Sequence, residues 1–296
     1  MKNIGIFEST SRKESIECAE MAVSKLKEQN IECYADPSLL EKFHSEDLKN
    51  YVHSIAYREF EKHVDVVISF GGDGTMLAAA RFLIKSDIPI MGFNVGKLGF
   101  LAEYSIKNFD KTLNDLITGN YRVIERAVLE TEFDGEVIYA LNDFVIEKKD
   151  FSRLITIDAY TNDHLIASIR ADGLIVTTPT GSTAYSLSCG GPILAPSTKV
   201  ICLTPISPHT LTLRPLVLSD NNSLTFKVFS PTNEAMLVAD GQVKRVLHNS
   251  DIVIIRKSEE TIKLIKPTDS TYYDLLRQKL LWAADAVDLE KIKNNS

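Results

Sequence analysis

The sequence has few of the features that would place a protein outside the reducing interior of a cell. It contains only four cysteines, and none of them has the CxxC spacing of a redox or zinc motif. A basic start followed by a long apolar core is missing, so no secretory signal is indicated. No apolar run approaches the roughly 20 residues that cross a bilayer. We therefore expect a cytoplasmic protein with free thiols that does not enter a membrane.

Basic residues are also in the minority. The 33 Lys and Arg stand against 40 Asp and Glu, which gives a formal net charge of −7. Nonspecific affinity for nucleic acid comes from clustered Lys and Arg that neutralise phosphates, so this balance argues against a nucleic-acid partner. The six histidines have no paired spacing and indicate no metal cage. The 296 residues, 44% of them apolar, are enough for two domains with their own cores.

The first third of the chain alternates short apolar runs with amphipathic segments. Apolar runs at 3–7, 31–34, 64–70 and 88–93 predict strands, while helical spacing predicts helices over 13–29 and behind residue 75. The polar segment 45–62 also reads as helical. The run 64–70 is β-branched and apolar, as in a strand buried on both faces of a parallel sheet. Together these elements predict a Rossmann-like α/β domain with right-handed crossovers.

From residue 121 onward the pattern changes to many short β-rich runs separated by Gly, Asn and Asp turns. This pattern predicts an all-β, β-sandwich-like domain, with one helical stretch near 181–189. Leucines 275, 276 and 280 then follow Tyr272 at helical spacing, and we expect this C-terminal helix to pack on the first domain. The predicted domains are therefore 1–118 together with 268–296, and 119–267.

A glycine-rich turn, GGDGT at 71–75, follows the strand at 64–70. Three glycines let the backbone approach a polyphosphate closely, and the next helix directs its free N–H groups toward an anion. Thr75 is predicted to cap that helix with its hydroxyl. Asp73 is the unusual member, because a carboxylate beside phosphates is repulsive unless it binds Mg²⁺ or accepts a proton from an attacking hydroxyl. Several unrelated kinases use such a turn, so the motif by itself does not choose a substrate.

The second motif, TPTGSTAY at 178–185, follows a predicted strand at 174–178. Pro179 fixes the turn, and the small hydroxyl residues after it can cap the helix or bind the ribose and phosphate of a ligand. Tyr185 offers a flat ring for stacking and a hydroxyl for hydrogen bonding. Gly190 and Gly191 are predicted to end the helix.

With these two motifs the sequence resembles the NAD kinase family. The matching stretches occur in order over residues 71–242: GGDGT at 71–75, NVGKLGFL at 94–101, LND at 141–143, DG at 172–173, TPTGSTAY at 178–185, GGP at 190–192, PH at 208–209 and DGQ at 240–242. One position departs from the family pattern, which commonly has Asn–Glu where this chain has Asn142-Asp143. The carboxylate at 143 is therefore one methylene shorter.

The resemblance implies that the γ-phosphoryl group of ATP is transferred with Mg²⁺ to the 2′-hydroxyl of the adenosine ribose of NAD, giving NADP. Asp73 would accept the proton of that hydroxyl. The phosphate cradle would comprise Gly71, Gly72, Gly74 and Thr75. The implied NAD-binding residues are Gly72, Asp73, Gly74, Asn142, Asp143, Asp172, Thr180, Thr183, Ala184, Tyr185 and Ser188. Further candidate site residues are Arg170, His209, Asp240 and Gln242.

The resemblance also implies a homodimer or homotetramer, because family members form some of these contacts across subunits. NAD and ATP are polyanions, and in an acidic chain Mg²⁺ and a few cations near the motifs would supply the positive potential. The candidate cations are Lys97, Arg170, His209, Arg214, Lys244 and Arg245.

Two other functions use parts of this pattern. A sugar or lipid kinase shares the glycine turn, but TPTGSTAY argues against it. A dinucleotide sensor without catalysis would keep the pocket, but it would not need Asp73 beside phosphates. The sequence does not decide whether the phosphoryl donor is ATP, another triphosphate or polyphosphate. It also does not decide whether the acceptor is NAD or NADH.

Overall fold

The structure is a computed structural model that describes residues 3–10, 12–96, 98–150 and 153–282. The described residues form two compact units. The α/β unit comprises those of Met1–Glu125 and Lys263–Ser296, and the β-rich unit comprises Arg126–Ile262. Among the described residues, no helix is long and apolar enough to span a bilayer.

The α/β unit is built on parallel strands that neighbour one another in the order β3-β2-β1-β4-β5, with β6 also paired to β5. Its strands are β1 (Asn3–Phe7), β2 (Glu32–Ala35), β3 (His53–Ser54), β4 (Val66–Gly71), β5 (Ile90–Asn94) and β6 (Tyr104–Ser105). Its helices are α1 (Lys13–Glu28), α2 (Pro37–Leu40), α3 (Glu46–Tyr51), α4 (Asp73–Leu83), α5 (Phe109–Thr118) and α7 (Tyr272–Leu280), with 3-10 turns at Tyr57–Lys62 and Ile106–Asn108. The predicted Rossmann-like arrangement is confirmed.

Burial explains why these segments adopt their predicted structures. All six residues of β4 are buried, as expected for a strand covered on both faces of a parallel sheet. In α1 the face that carries Ile16, Ala19, Val23 and Leu26 is buried in the core, so its helical spacing reflects packing. The C-terminal helix α7 belongs to the α/β unit and buries Leu275 and Leu276.

The β-rich unit contains two antiparallel sheets that share one apolar core. One sheet has the strand order β14-β13-β12-β9-β16-β17, and the other joins β11, β10, β15 and β18, with β7 pairing β18 and β8. The strands are β7 (Arg122–Phe133), β8 (Glu136–Ala140), β9 (Asp143–Lys148), β10 (Ile155–Thr161), β11 (His164–Ala171), β12 (Gly173–Thr177), β13 (Val200–Ile206), β14 (Leu216–Ser219), β15 (Leu224–Phe229), β16 (Ala235–Ala239), β17 (Val243–Leu247) and β18 (Ile252–Lys266). The residues of β7 up to 125 and those of β18 from 263 onward belong to the α/β unit. The predicted sandwich-like domain is confirmed.

Two helix predictions were wrong in detail. The segment 45–62 is not one helix: α3 ends before Val52, whose backbone is extended, because His53 and Ser54 pair with the edge of β2. The segment 181–189 is also divided. A 3-10 turn over Gly181–Thr183 is followed by the short helix α6 (Tyr185–Ser188), because Ala184 between them is not helical. Gly190 follows with φ +82°, the conformation that ends a helix.

Candidate functional site

The glycine turn lies at the carboxyl end of β4, where ligands bind in open α/β sheets. Gly71 ends the strand and Gly72 is the residue before α4, which begins at Asp73. A Cβ atom on Gly71 would lie 2.1 Å from the Thr75 hydroxyl oxygen, so only glycine fits there. Gly72 and Gly74 have no atom within 4 Å of such a Cβ position, and their backbone is open to a ligand.

The predicted cap of this helix was wrong. Thr75 lies inside the first turn of α4, and the residue before the helix, Gly72, makes no side-chain cap. The Thr75 side chain is buried against Gly71, and its hydroxyl oxygen has no hydrogen-bond partner. The N-terminal amides of α4 are therefore not satisfied by this hydroxyl, which is the usual condition of an anion-binding helix end.

The Asp73 carboxylate is held by three consecutive backbone amides of a segment that follows β5. Its Oδ2 accepts a hydrogen bond from the amide of Phe100 at 2.9 Å, and its Oδ1 accepts from Leu101 at 2.9 Å and Ala102 at 3.1 Å. Gly99 allows this approach, because a Cβ there would lie 1.9 Å from Asp73 Oδ1. The orientation of Asp73 is therefore fixed by backbone groups.

A cavity of about 370 Å³ opens beside the glycine turn within the α/β unit. The predicted cradle residues Gly71 and Gly72 line it, together with Asn94 and Gly96 of the matching NVGKLGFL stretch. The cavity is also lined by Thr10, Arg12, Glu14, Ser15 and Val95.

The N-terminal segment was missed by the sequence analysis. Arg12 is the residue before α1, and it lines the cavity together with Glu14 and Ser15 of the first turn of that helix. Thr10 is fixed by the buried Glu8, whose Oε1 accepts from the Thr10 amide at 2.6 Å and from its hydroxyl at 2.5 Å. The available signal was a polar run, STSR at 9–12, between a buried strand and a helix.

In the β-rich unit, the Asp240 carboxylate binds three consecutive backbone amides of the LND segment, as the Asp73 carboxylate does with residues 100–102. Asp240 Oδ2 accepts from the amide of Leu141 at 2.9 Å, and Oδ1 accepts from Asn142 at 2.7 Å and Asp143 at 3.1 Å. Asp240 has φ +50°, a left-handed conformation that places its carboxylate at the tight turn before β17. This residue is thus a structural anchor of the site.

The TPTGSTAY motif and the residue before it, Thr177, bind the carbonyl side of the same LND segment. The amide of Thr178 and the hydroxyl of Thr177 donate to the Asn142 carbonyl at 2.9 and 3.0 Å. The Thr178 hydroxyl donates to the Leu141 carbonyl at 2.6 Å. A Cβ on Gly181 would lie 2.2 Å from the Asn142 carbonyl oxygen. Three separate sequence motifs therefore meet at residues 141–143.

A second cavity, of about 340 Å³, lies where these motifs meet. Five of the predicted site residues line it: Asn142, Asp143, Ala184, Tyr185 and Asp240. The other lining residues are Val145, Glu147, Val238, Gly241 and Lys244. Tyr185 is 43% exposed, so its ring is available to a ligand, while apolar side chains of β9 and β16 form part of the wall.

Asp143 is the most unusual group of this cavity. It is only 4% exposed, and burial, reinforced by the neighbouring Asp240 carboxylate, raises its pKa to about 7. A carboxyl group with this pKa exchanges a proton near neutral pH. It is therefore able to donate or accept a hydrogen bond at the cavity wall.

The other predicted site residues of the β-rich unit are not among those that line this cavity. Asp172 forms an ion pair with Lys148, with 2.5 Å between Oδ1 and Nζ. The amide of His209 donates to the Arg170 carbonyl at 2.9 Å, which joins two candidate residues through the backbone. Thr180 precedes the 3-10 turn and Thr183 is its last residue, Ser188 ends α6, and Gln242 is exposed in the turn before β17. Of the candidate cations, Lys244 lines the cavity, and Lys97 lies outside the described residues.

Two family models match the chain. Residues 4–121 match the model of the ATP-NAD kinase N-terminal domain, and residues 141–267 match that of the ATP-NAD kinase C-terminal domain. The chain is 38% identical over 285 residues to the NAD kinase of Chlorobium phaeobacteroides strain BS1, covering 95% of this chain and 97% of that protein.

Two solved structures share the fold. The crystal structure of yeast NADH kinase complexed with NADH superposes with a TM-score of 0.86 at 23% identity, covering 96% of this chain and 89% of that one. An NAD kinase from Archaeoglobus fulgidus in complex with ATP gives a TM-score of 0.75 at 24% identity, covering 95% of this chain and 99% of that one.

Proposed function

Because this chain belongs to the NAD kinase family, we propose that it transfers the γ-phosphoryl group of ATP to the 2′-hydroxyl of the adenosine ribose of NAD. It is a phosphotransferase that acts on an alcohol group and converts NAD to NADP. The observation that carries the proposal for its site is the convergence of three separate motifs on one cavity in the β-rich unit.

We assign the adenosine part of NAD to that cavity. Asn142 and Asp143 offer an amide and a carboxyl group, which can pair with both donors and acceptors of adenine. Tyr185 offers a partly exposed ring for stacking. Lys244 supplies positive charge at the same cavity. Thr180, Thr183, Ala184, Ser188 and the Asp172 carboxylate remain proposed contacts of the ribose and the nicotinamide end.

The Tyr185 ring provides a direct test of this assignment. Tyr185→Ala should weaken NAD binding by about 10-fold or more, because stacking of a base on an aromatic side chain is worth about 1–3 kcal/mol. Tyr185→Phe keeps the ring and should stay within about threefold of the wild type. Isothermal titration calorimetry with NAD measures both, and unchanged affinity of the alanine variant would move the adenosine site elsewhere.

We assign the donor phosphates to the cavity beside the glycine turn. Gly71 and Gly72 present backbone without side chains, and the cavity also carries Arg12 and the hydroxyl residue Thr10. The start of α1, a helix of 16 residues, directs free amides and its positive dipole end to the same place. The donor would bring Mg²⁺ as Mg-ATP, and the ion would neutralise phosphate charge. Within the described ranges, no three His, Cys, Asp or Glu side chains gather as a metal cluster.

Arg12 tests the donor assignment. Arg12→Gln should raise the KM for ATP by about 10-fold, because a charged contact to phosphate is lost, and leave the KM for NAD within about twofold. Steady-state kinetics with each substrate varied in turn separates the two constants. Lys13→Gln, one residue along and paired with Glu17 on the exposed face of α1, is the matched control and should change neither constant. An equal rise in both constants for the Arg12 variant would contradict the assignment.

Asp73 is proposed as the group that orients the ribose hydroxyl and receives its proton. Oδ1 already accepts two backbone amides and Oδ2 accepts one, so Oδ2 has the greater capacity left for a further donor. A fixed carboxylate provides orientation at no additional entropy cost during the reaction. If the transition state is loose, this orientation matters as much as proton removal.

The activity assay tests the function as a whole. Purified protein is incubated with NAD, ATP and Mg²⁺, and NADP is detected enzymatically, with other triphosphates, polyphosphate and NADH as alternative substrates. Formation of NADP from ATP is the expected result. A folded protein that makes no NADP with any donor would contradict the proposal.

We also propose a homodimer or homotetramer in the cytoplasm. The edge strand β14 exposes Leu216 and Val217 at 40% and 41%, which is apolar surface suited to a second copy. The four cysteines are free thiols, as in a reducing compartment. Analytical ultracentrifugation measures the state of assembly, and a monomer at micromolar concentration would contradict the first part.

A further inference from the structure

We propose that Lys266 is a positioning residue for Asp73, acting through two peptide groups that connect the lysine ammonium to the aspartate carboxylate. The inference rests on the proposed role of Asp73 in NAD phosphorylation. It concerns a short segment, residues 99–103, which we call the strap. Every residue of this arrangement belongs to the α/β unit.

The strap is held close to the sheet. Gly92 of β5 permits this, because a Cβ there would lie 2.9 Å from the Ala102 Cα. The ring of Phe100 packs near Tyr272 of α7, with ring centroids 6.4 Å apart, and the Lys279 ammonium lies 4.8 Å from the Phe100 ring centroid. Packing contacts therefore hold the strap in place in addition to its backbone hydrogen bonds.

Lys266 is the last residue of β18. It binds carbonyl groups of the strap, whereas Asp73 binds amide groups of the strap. Its Nζ donates to the carbonyl of Leu101 at 2.9 Å and to that of Phe100 at 3.3 Å. It also forms a short ion pair with the Glu103 carboxylate. The Lys266 and Glu103 side chains are 2% and 7% exposed. A lysine carries three donors, and these three acceptors match them.

The same two peptide groups bind both charges. The carbonyl of Phe100 and the amide of Leu101 belong to one peptide group, and the carbonyl of Leu101 and the amide of Ala102 belong to the next. Lys266 binds the oxygen of each group, while Asp73 Oδ1 accepts from the nitrogen of each. A cation at the carbonyl end polarises the peptide and strengthens its N–H donor. Lys266 thus holds the Asp73 carboxylate without touching it.

Lys266→Met removes the cation and keeps most of the side-chain length. We expect kcat to fall by about 10- to 100-fold, while the dissociation constant for NAD stays within about threefold, because only the orientation of Asp73 is lost. Lys266→Arg keeps a cationic donor and should recover kcat to within about tenfold of the wild type. Lys263→Met is the matched control: Lys263 lies on the same strand and pairs with the exposed Asp87, and this variant should keep wild-type kcat.

A double-mutant cycle distinguishes positioning from a general structural role. If Lys266 acts through Asp73, Lys266→Met should lower kcat in the wild type and have no further effect in an Asp73→Asn background. An equal loss in both backgrounds would overturn the inference. In the single variant Glu103 would be left buried and unpaired. The double variant Glu103→Gln, Lys266→Met removes both charges of the buried pair and is therefore measured as well. It should show the same loss of kcat, and wild-type kcat in it would also overturn the inference.

Amide hydrogen exchange tests the arrangement without any activity. The amides of Leu101 and Ala102 should exchange slowly in the wild type, at least tenfold faster in the Lys266→Met variant, and at the wild-type rate in Lys263→Met. Unchanged protection in the Lys266 variant would contradict the proposed link. A wild-type protein that makes no NADP would instead overturn the proposed function, and the exchange experiment would still decide whether Lys266 fixes the strap.

Discussion

Replacement of Asp73 by asparagine should lower turnover by about 10²–10⁴-fold, the usual worth of general-base catalysis. The amide cannot accept the proton of the ribose hydroxyl. It also disturbs the carboxylate site, because its NH₂ group would face one of the three strap amides that now donate to Asp73. The dissociation constant for NAD should stay within about tenfold, since we assign the adenosine contacts to the cavity lined by Asn142 and Tyr185.

Rapid-quench measurement of NADP formation and calorimetric titration of NAD separate these two effects. Asp87→Asn is the matched control, because Asp87 lies in the same unit with a side chain that is 96% exposed, and it should keep wild-type turnover. If the Asp73 variant turned over at the wild-type rate, Asp73 would not be the proton acceptor. If the Asp73 variant no longer bound NAD, the main role of the carboxylate would be substrate binding and not proton transfer.

Replacement of Asp143 by asparagine should change the pH dependence of stability more than any other substitution considered for the β-rich unit. The pKa of Asp143 is raised from the ordinary 3.8 to about 7 by burial and by the Asp240 carboxylate. Between these two values the folded protein binds a proton that the unfolded chain has released. The free energy of unfolding therefore falls as pH rises from about 4 to 7, with a limiting slope near 1.4 kcal/mol per pH unit for this group.

The asparagine variant lacks this slope, because its side chain does not ionise. Urea unfolding at pH 5, 6, 7 and 8 should show that the variant gains stability relative to the wild type up to pH 7, with little further change above it. Asp134→Asn, at an exposed turn where φ is +53° and asparagine is well tolerated, is the matched control and should run parallel to the wild type. Parallel curves for the Asp143 variant would contradict the raised pKa.

The two units differ in how far their elements could be predicted from the sequence. The buried strand β4 and helix α1 were predicted within one or two residues, because each buries one continuous apolar pattern. The segment 45–62 was not, because β3 forms only by pairing with β2, and its two residues are both exposed. The helix near 181–189 is divided at Ala184, whose φ of −98° and ψ of −129° are not helical, and the sequence pattern does not mark this break.

The candidate site shows the same division. Glycines and a carboxylate after a buried strand are visible in the sequence, and so are five of the residues that line the cavity of the β-rich unit. The roles of Asp240 and of the strap are not visible, because the donors are backbone amides, which every residue except proline possesses. Arg12 and Thr10 were missed for a related reason, since a polar run before a helix resembles any solvent-exposed turn.

The sequence by itself determined the fold class and the order of the motifs, and it pointed to Asp73 and to five residues of one cavity, because each depends on side-chain chemistry or on a local apolar period. Only the tertiary structure decided what holds those groups. Asp73 and its amide donors lie 27–29 residues apart, Asp240 and its donors 97–99 apart, and Lys266 and the strap carbonyls 165–166 apart. Hydrogen bonds over such separations form only after the sheets have brought distant backbone together, and a buried lysine such as Lys266 cannot be told from an exposed one until its surroundings are known.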